Sequence, residues 1–300
     1  DSLFLPTSQM TRPKAGTISF ISQSGALGSA LVDLAAYENY GFAKFISYGN
    51  ATNLSETDYL EYLAKDKQTK VICMYIEAIK DGKKFMKTAK KIKKPIIVIK
   101  GGRTGSKATL SHTGSLAGSY EIYKGAFKQS NVIIADNLQE MFHIAKLFTF
   151  LKNKGKRVQV ITNGGGYGIV TTDLLEENNI SLAKITQKTK KRLTTLFPKI
   201  CSINNPMDLV GDATDERYKI AIDACMRDKN IDFLLTILLP QTPLITKNII
   251  KQLKPFKTKK PMVFIVTGGE RTKPFAKLLE QHFPVFEYPS EAVRAIKKFL

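Results

Sequence analysis

With 300 residues, 43% hydrophobic and 24% charged, the chain has the composition of a globular protein of about two domains and not of a disordered one. Its formal net charge of +20 is spread over lysine-rich segments with apolar residues at helical spacing, which favours solvated helix faces, and no zinc-finger or RNA-binding pattern supports nucleic-acid binding. No apolar stretch reaches the roughly 18 residues of a membrane span, and three cysteines without metal-binding spacing indicate a reducing, cytoplasmic location.

Short apolar segments alternate with amphipathic segments through the first half of the chain. The apolar segments predict five strands, at 16–22, 43–49, 70–77, 94–102 and 132–136. The clearest amphipathic helices between them are predicted at 25–39 and 137–150. Because strands and helices alternate, and because the strands are continuously apolar, the pattern predicts a parallel sheet with helices on both faces.

A polar, lysine-rich segment at 151–156 interrupts this pattern and is the predicted linker. Beyond it, strands are predicted at 157–162, 181–185, 233–240, 260–269 and 284–289. A helix is predicted from about Gly166, and a closing helix at 290–300. We therefore predict two similar, doubly wound α/β domains in tandem, residues 1–152 and 153–300.

Polar or reactive residues follow four consecutive strands of the first predicted domain. Ser24 follows the first strand and Asn50 the second, Glu77 ends the third, and the fourth runs into the loop that contains His112. In an open parallel sheet, ligands bind beyond the carboxyl ends of the strands. We therefore expect these four residues along one edge of the sheet.

The segment SQSGALG, residues 22–28, places a Ser/Gly turn between a strand and a helix. The free N–H groups of the first helical turn and the positive end of the helix dipole predict an anion site at Ser24 and Gly25. A capping role for Ser24 alone is the alternative. A nucleophile elbow is disfavoured because the segment has the pattern Ser-x-Ser-x-Ala instead of Gly-x-Ser-x-Gly.

The second predicted domain has a similar glycine-rich turn between a strand and a helix. Glycine lets the backbone approach an anion closely, so a second anion site is predicted. Its residues are Asn163, Gly164, Gly165 and Gly166. The turn fails as a dinucleotide fingerprint because Ile169 follows where the third glycine belongs, and GGRTGSKAT fails as a P-loop because Ser106 precedes the lysine.

The chain contains three histidines, and two of them need no function. His143 falls on the polar side of its predicted helix, and His282 comes at a helix end, where an imidazole can meet the helix dipole. His112 lies among small residues such as Ser111, which leave room for a bulky anion. If Glu77 bonds one ring nitrogen, the other is free to attack; a plain salt bridge of Glu77 is the alternative.

Five segments together resemble the ADP-forming acetyl-CoA synthetases, also called NDP-forming acyl-CoA synthetases, which are relatives of succinyl-CoA synthetase. They are GTISFISQSGALGSALVD, SYGNAT, MYIEAIKDGKKF, KPIIVIKGGRTGSKATLSHTGSLAGSYEIYKGAFKQS and INNPMDLVGDAT. The likeness runs from about Gly16 to the C-terminus, and SHTGSLAG with its companion motifs is highly specific. The resemblance implies two tandem flavodoxin-like domains.

The resemblance also implies a phosphoryl relay. In that family an acyl phosphate forms from acyl-CoA and phosphate, a histidine takes the phosphoryl group, and a loop carries it to ADP. His112 aligns with that histidine, and Glu77 with the glutamate that steadies it. The family binds phosphate between two helix N-termini, which align with Ser24–Gly25 and Asn163–Gly166, and Ser111 is expected to contribute. Three further residues are expected near the substrate: Asn50, Asn205 and Asp208.

The family further implies parts that these 300 residues do not include. A Rossmann-type CoA-binding domain precedes the first domain, and an ATP-grasp domain with the nucleotide and Mg²⁺ sites lies on another segment or subunit. We therefore expect this chain, which begins without Met, to be a fragment or one subunit of an oligomeric, cytoplasmic ADP-forming acid–CoA ligase. We expect no metal site in this chain, and no binding to nucleic acid or membrane.

Two other functions fit parts of the sequence. Some relatives join this arrangement to an acetyltransferase domain, where the ligase-like part is an inactive sensor; loss of the histidine would favour that function, and His112 is present. A nicotinamide-dependent oxidoreductase is consistent with the α/β alternation but lacks the dinucleotide fingerprint. The leading hypothesis is therefore the ligase.

Overall fold

The computed structural model describes residues 11–103 and 120–300. The chain divides into two compact units, Asp1–Thr149 and Phe150–Leu300. Each unit is an α/β domain built on one sheet, so the predicted two-domain α/β fold is confirmed. Across the described residues, no helix combines the length and the apolar character that crossing a lipid bilayer requires.

The sheet of the first unit is entirely parallel. Its strands are β1 (Ala15–Ser22), β2 (Phe42–Ser47), β3 (Val71–Ile76), β4 (Ile96–Lys100) and β5 (Val132–Ile134). The described helices are α1 (Gly25–Tyr37), α2 (Glu56–Lys65), α3 (Gly82–Lys91), α4 (Tyr120–Gln129) and α5 (Leu138–Phe150). The strand order is β2–β1–β3–β4–β5, so the order reverses on the two sides of β1. All five predicted strands are present.

The second unit has six described strands. They are β6 (Val158–Thr162), β7 (Ser202–Ile203), β8 (Met207–Asp208), β9 (Phe233–Leu238), β10 (Met262–Val266) and β11 (Val285–Phe286). The helices are α6 (Gly165–Glu177), α7 (Gln187–Leu196), α8 (Asp215–Arg227), α9 (Asn248–Leu253), α10 (Lys273–Glu280) and α11 (Pro289–Phe299). The order is β11–β10–β9–β6–β8–β7, and every pair is parallel except β7 with β8.

The second sheet differs from the sequence prediction beside β6. The predicted strand at 181–185 is reduced to an isolated bridge between Leu182 and Val158, and β8 takes the place next to β6. The side chain of Asn205 occupies the rest of that edge: its Oδ1 accepts the N–H of Val160 at 3.0 Å, and its Nδ2 donates to the carbonyl of Val158 at 2.7 Å. A side-chain amide thus replaces part of a neighbouring strand.

Continuous apolar strands explain how both units are held together. Every residue of β4, β6 and β9 is buried, as expected when both faces of a sheet are covered. Cys73 in β3 is fully buried, and burial raises the pKa of its thiol.

Candidate functional site

The reversal of strand order around β1 brings the ends of β1 and β3 together. Gln23, which follows β1, accepts the N–H groups of Glu77 at 2.7 Å and Ala78 at 3.1 Å through its side-chain Oε1. The N–H of Gln23 donates to the carbonyl of Tyr75 at 3.1 Å. Such a reversal creates the crevice in which doubly wound sheets bind ligands. Ser24 and Glu77 therefore lie on its two sides.

Helix α1 begins at this crevice, and its first residues are exposed. Ser24 is the N-cap, and its Oγ accepts the N–H of Leu27 at 3.3 Å. Gly25 and Ala26, the first two helical residues, are exposed. Capping by Ser24 and anion binding by the first amides are therefore compatible, because the cap occupies a different N–H group.

Glu77 is half-buried and lies against the ends of β3 and β4. The N–H of Gly101 donates to the carbonyl of Ile76 at 2.8 Å. A Cβ atom on Gly101 would lie 2.7 Å from Tyr75 Oη and 3.5 Å from Glu77 Cγ, so a larger residue here would have to displace the tyrosine hydroxyl. Burial is the main cause that raises the pKa of the Tyr75 hydroxyl. The negative charge of Glu77 and a hydrogen bond to the Glu77 side chain raise this pKa further.

Lys100, which the sequence does not single out, pairs with Ile76, the residue before Glu77. It is the last residue of β4 and is only 1% exposed. Its Nζ donates to the carbonyl of Gly101 and lies 4.6 Å from the centroid of the Tyr123 ring. Burial lowers the pKa of this ammonium, whereas the charge of Glu77 raises it.

Asn50 lies on the turn that follows β2. This turn bends through positive φ at Gly49 (55°) and Ala51 (53°), and the carbonyl of Ala51 accepts a bond from Lys80 Nζ at 2.6 Å. Asn50 itself is exposed. Its place at the carboxyl end of β2 agrees with the predicted edge, but no hydrogen bond within the described chain joins its side chain to Ser24 or Glu77.

Ser111 and His112 lie outside the described residues. The residues that flank their segment are joined: the guanidinium carbon of Arg103 lies 5.4 Å from the centroid of the Tyr120 ring. Arg103 also bonds Asp136 Oδ1 at 2.9 Å and the carbonyl of Ala135 at 2.7 Å. Arg103 therefore holds the two ends of the His112 segment together beyond β4.

In the second unit, helix α6 begins with an uncapped glycine turn. Gly164 is the N-cap and makes no side-chain hydrogen bond, and its N–H is bonded to Thr162 Oγ1 at 2.9 Å. A Cβ atom on Gly166 would meet nothing within 4 Å, whereas one on Gly165 would lie 2.6 Å from Asp208 Oδ2. The helix start is thus open at Gly166, with a carboxylate beside Gly165.

Asn163 has a structural role in this turn. It is 3% exposed, and its Oδ1 accepts the N–H of Leu239 at 3.0 Å and lies 2.9 Å from the hydroxyl of Tyr218. Its Nδ2 donates to the carbonyl of Leu239 at 3.3 Å. The side-chain amide is thus used to hold the turn after β9, which leaves only backbone atoms for an anion.

Asp208 and Asn205 are close in sequence, but their side chains contact different parts of the second unit. Asp208 ends β8 beside the start of α6, and its Oδ1 accepts the N–H of Val210 at 2.9 Å. Asn205 bonds the first half of β6 and the carbonyl of Ala183, at 3.1 Å. The structure therefore groups Asp208 with the glycines of α6, and leaves Asn205 out of that group. No cluster of three His, Cys, Asp or Glu residues in the described ranges is arranged to hold a metal ion.

Comparison with known proteins gives the family. Residues 15–148 match the succinyl-CoA ligase like flavodoxin domain, and residues 158–298 match the ligase-CoA domain. The chain is also similar to the α subunit of ADP-forming acetate–CoA ligase II of Pyrococcus furiosus, with 39% identity over 95% of this chain and 65% of that protein. The chain belongs to the ADP-forming acyl-CoA synthetases. The flavodoxin-like character implied by the sequence is confirmed.

Other relatives in this family are longer proteins. A 4-hydroxybutyrate–CoA ligase (ADP-forming) of Nitrosopumilus maritimus is 36% identical over 95% of this chain and 42% of its own length. A solved acetyl-coenzyme A synthetase 1 of Candidatus Korarchaeum cryptofilum, in complex with phosphate and ADP, has a TM-score of 0.88 and 34% identity, covering 95% of this chain and 64% of that one. The chain therefore spans less than two thirds of each of these relatives.

Proposed function

We propose that this chain is the phosphoryl-accepting part, as a fragment or subunit, of an ADP-forming acid–CoA ligase that interconverts acyl-CoA, ADP and phosphate with acid, CoA and ATP. The observation that carries the proposal is the bond between Gln23 and the backbone of Glu77. It holds the glutamate beside the open start of α1, at the switch point of the sheet. The segment with His112 begins directly after β4, the strand next to β3.

In this proposal the imidazole of His112 attacks the phosphorus atom of an acyl phosphate. A bond forms between nitrogen and phosphorus, the bond from phosphorus to the acyl oxygen breaks, and the acid leaves as its carboxylate. A neutral imidazole, with an ordinary pKa of about 6.5, can do this without a separate base. Glu77 would accept the N–H of the other ring nitrogen, which selects the reactive tautomer and stabilises the charge that the ring gains.

The helix starts supply electrostatic stabilisation. The amides of Gly25 and Ala26 in the first unit, and of Gly165 and Gly166 in the second, are donors for phosphate oxygens. A phosphate oxygen at the start of α6 would meet the carboxylate of Asp208 as a close neighbour, and we propose that this carboxylate limits how long the anion is retained.

The complete reaction requires domains beyond this chain. We propose that a Rossmann-type domain binds CoA, and that an ATP-grasp domain or subunit binds ADP or ATP with Mg²⁺ and receives the phosphoryl group. The relative named as an α subunit and the longer single-chain relatives support this arrangement. We further propose that the assembly is an oligomer in the cytoplasm.

Labelling with ATP tests the relay. The full-length protein and its ATP-grasp partner are incubated with ATP labelled on the γ-phosphate. Label that is stable in base, labile in acid and lost in His112→Ala supports the proposal. His282→Gln, which changes a histidine after α10, is the control and should retain the label. The proposal fails if His112→Ala keeps its label, or if an otherwise active preparation takes up none.

A further inference from the structure

A cavity of about 780 Å³ lies at the amino edge of the second sheet, and this volume is within the range of small-molecule sites. Its walls include residues 153–157 before β6, 231–232 before β9 and 259–261 before β10. Because β10, β9 and β6 are parallel neighbours, their amino ends meet at one edge. The glycine turn of α6 follows the carboxyl end of β6, so the cavity lies at the opposite end of that strand.

Positively charged side chains from two of these segments line the cavity. They are Lys154, Lys156 and Arg157 before β6, and Lys259 and Lys260 before β10, and the lining holds one carboxylate, that of Asp232. Neither segment is helical, so the exposed helix face that explains other lysine-rich segments does not account for this cluster. The pairing of β6, β9 and β10 brings these cations together from distant parts of the sequence.

The carboxylate of Asp232 is already bonded to Arg157. Its Oδ2 accepts the N–H of Arg157 Nε at 2.9 Å and the backbone N–H of Arg157 at 3.2 Å, and its Oδ1 accepts from Nη2 at 2.7 Å. In the part of the chain that the structure describes, none of Lys156, Lys259 and Lys260 forms an ion pair within 4.0 Å. The cavity therefore has an excess of positive charge.

The walls of the cavity are held in place by the fold. Gly155 packs so closely against the segment before β9 that a Cβ atom on it would lie 2.7 Å from both the Cβ and the carbonyl oxygen of Asp232. Lys260 Nζ donates to the carbonyls of Cys225 at 3.1 Å and Asp228 at 2.5 Å. Because these groups are already fixed, a ligand that binds them loses less free energy to ordering of the site.

We propose that this cavity binds a small molecule that carries two or more linked phosphate groups. Lysine ammonium groups and arginine guanidinium groups are donors for phosphate oxygens, and because they stand on two walls, several phosphates contact more of them than one does. The charge lines a cavity of small-molecule size, which favours such a ligand over the surface of an acidic protein. The site does not rest on the relay, since the five residues of β6 separate it from the start of α6 by about 16 Å.

Acylation of lysines in the full-length protein locates the site. The protein is treated with an amine-acylating reagent at constant ionic strength, with and without pyrophosphate, and mass spectrometry measures the modification of each lysine. At about 1 mM pyrophosphate, modification of Lys156 and Lys259 should fall about three-fold, because a bound ligand covers their ammonium groups. Lys191 and Lys251 are exposed, lie outside the cavity and should be modified equally in both samples. Unchanged modification of Lys156 and Lys259, or an equal loss at the control lysines, would overturn the proposal.

Thermal unfolding of a matched pair of variants gives a second measurement. Lys156→Gln with Lys259→Gln should keep or raise the Tm without ligand, because repulsion between like charges is reduced. Pyrophosphate should raise the Tm of the wild type, and in this variant the rise should fall to less than about half. Lys191→Gln with Lys251→Gln removes the same charge elsewhere and should keep the full rise. Any other phosphate site contributes equally to both variants, so equal rises in the two would contradict the proposal.

Two further probes identify the source of the phosphates. ADP carries the same two linked phosphates as pyrophosphate, so protection of Lys156 and Lys259 at a lower concentration of ADP supports a nucleotide ligand. Equal or weaker protection by ADP supports linked phosphates without a nucleoside. Protection by a glutamate-rich peptide but not by pyrophosphate would overturn the proposal in favour of a docking surface for an acidic protein. The acylation experiment uses the wild type, so its outcome stands even if a variant fails to fold.

Discussion

Gln23 and Asn163 have equivalent places in the two units. Each follows the first strand of its unit, and each side-chain oxygen accepts the N–H of the residue after the neighbouring strand: Glu77 at 2.7 Å and Leu239 at 3.0 Å. The two units thus use the same kind of side-chain-to-backbone hydrogen bond to fix the loop at the point where the strand order reverses. They differ in chemistry, because the residue so held is a carboxylate in the first unit and an apolar side chain in the second.

Removal of the amide at Gln23 should weaken both fold and site. In Gln23→Leu the N–H groups of Glu77 and Ala78 lose their acceptor, which should lower the free energy of unfolding by about 1–3 kcal/mol. Urea denaturation measures this change, and labelling of His112 should slow in the same variant. Gln68→Leu, at an exposed glutamine, is the control and should stay within about 0.5 kcal/mol of the wild type. Equal stability of the two variants would contradict the role of Gln23.

Two adjacent glycines at the start of α6 should respond differently to alanine. The new Cβ atom of Gly165→Ala would lie 2.6 Å from Asp208 Oδ2, so the carboxylate must turn aside, and that variant should be less stable than Gly166→Ala by about 1 kcal/mol. The Cβ atom of Gly166→Ala would meet nothing within 4 Å, and alanine favours helix over glycine by up to about 1 kcal/mol, so stability should be kept or increased. Thermal unfolding of the pair checks both outcomes, and a reversed order would contradict the geometry at Asp208.

Much of the fold is predictable because its strands are continuous apolar segments bounded by turns. All five strands of the first sheet are found where the pattern places them. The strand predicted at 181–185 is wrong because the side chain of Asn205 pairs with β6 there, and a single amide leaves no periodic signal. Strand β8 has two residues, too few for a pattern of alternation.

The candidate site is only partly predictable for a similar reason. Ser24 and Glu77 can be selected from the sequence because Ser24 follows one apolar predicted strand and Glu77 ends another. The role of Asn163 cannot be predicted from the sequence. Its partner Leu239 lies 76 positions away and becomes a neighbour only through the pairing of β6 with β9. In the sequence, Lys100 looks like the polar end of an apolar strand. The charge of Glu77 acts on Lys100 because β3 pairs with β4 in the sheet.

Arg103 should be needed for the relay more than for stability. Arg103→Met removes the bonds to Asp136 and Ala135 and the contact with Tyr120, so the ends of the His112 segment lose their junction. Stability should fall by only about 1 kcal/mol, as for other partly exposed ion pairs, while the labelling rate falls about ten-fold. Arg227→Met, which breaks an exposed pair with Asp223 on α8, is the control for loss of an arginine. Similar labelling in both variants would contradict this role of Arg103.

Asp58 should make the stability of the first unit depend on pH. It closes the start of α2: its Oδ2 accepts the N–H of Ser55 at 2.9 Å and the hydroxyl of Ser55 at 2.8 Å. These bonds, and the neighbouring Lys84, lower the pKa of Asp58 to about 2 in the folded chain. Because the folded value lies below the ordinary value of 3.8, the contribution is complete above the ordinary value and is lost as pH falls toward 2.

Asp58→Asn should therefore cost about 1 kcal/mol near pH 7, the usual contribution of a helix cap. Urea denaturation at about pH 3 should show a smaller difference from the wild type, since the unfolded chain then holds a proton at Asp58 that the folded chain must release. Asp33→Asn, at an exposed position of α1, is the matched surface change and should alter stability little at either pH. An equal loss for Asp58→Asn at both pH values would mean that the charge of the carboxylate does not stabilise the start of α2.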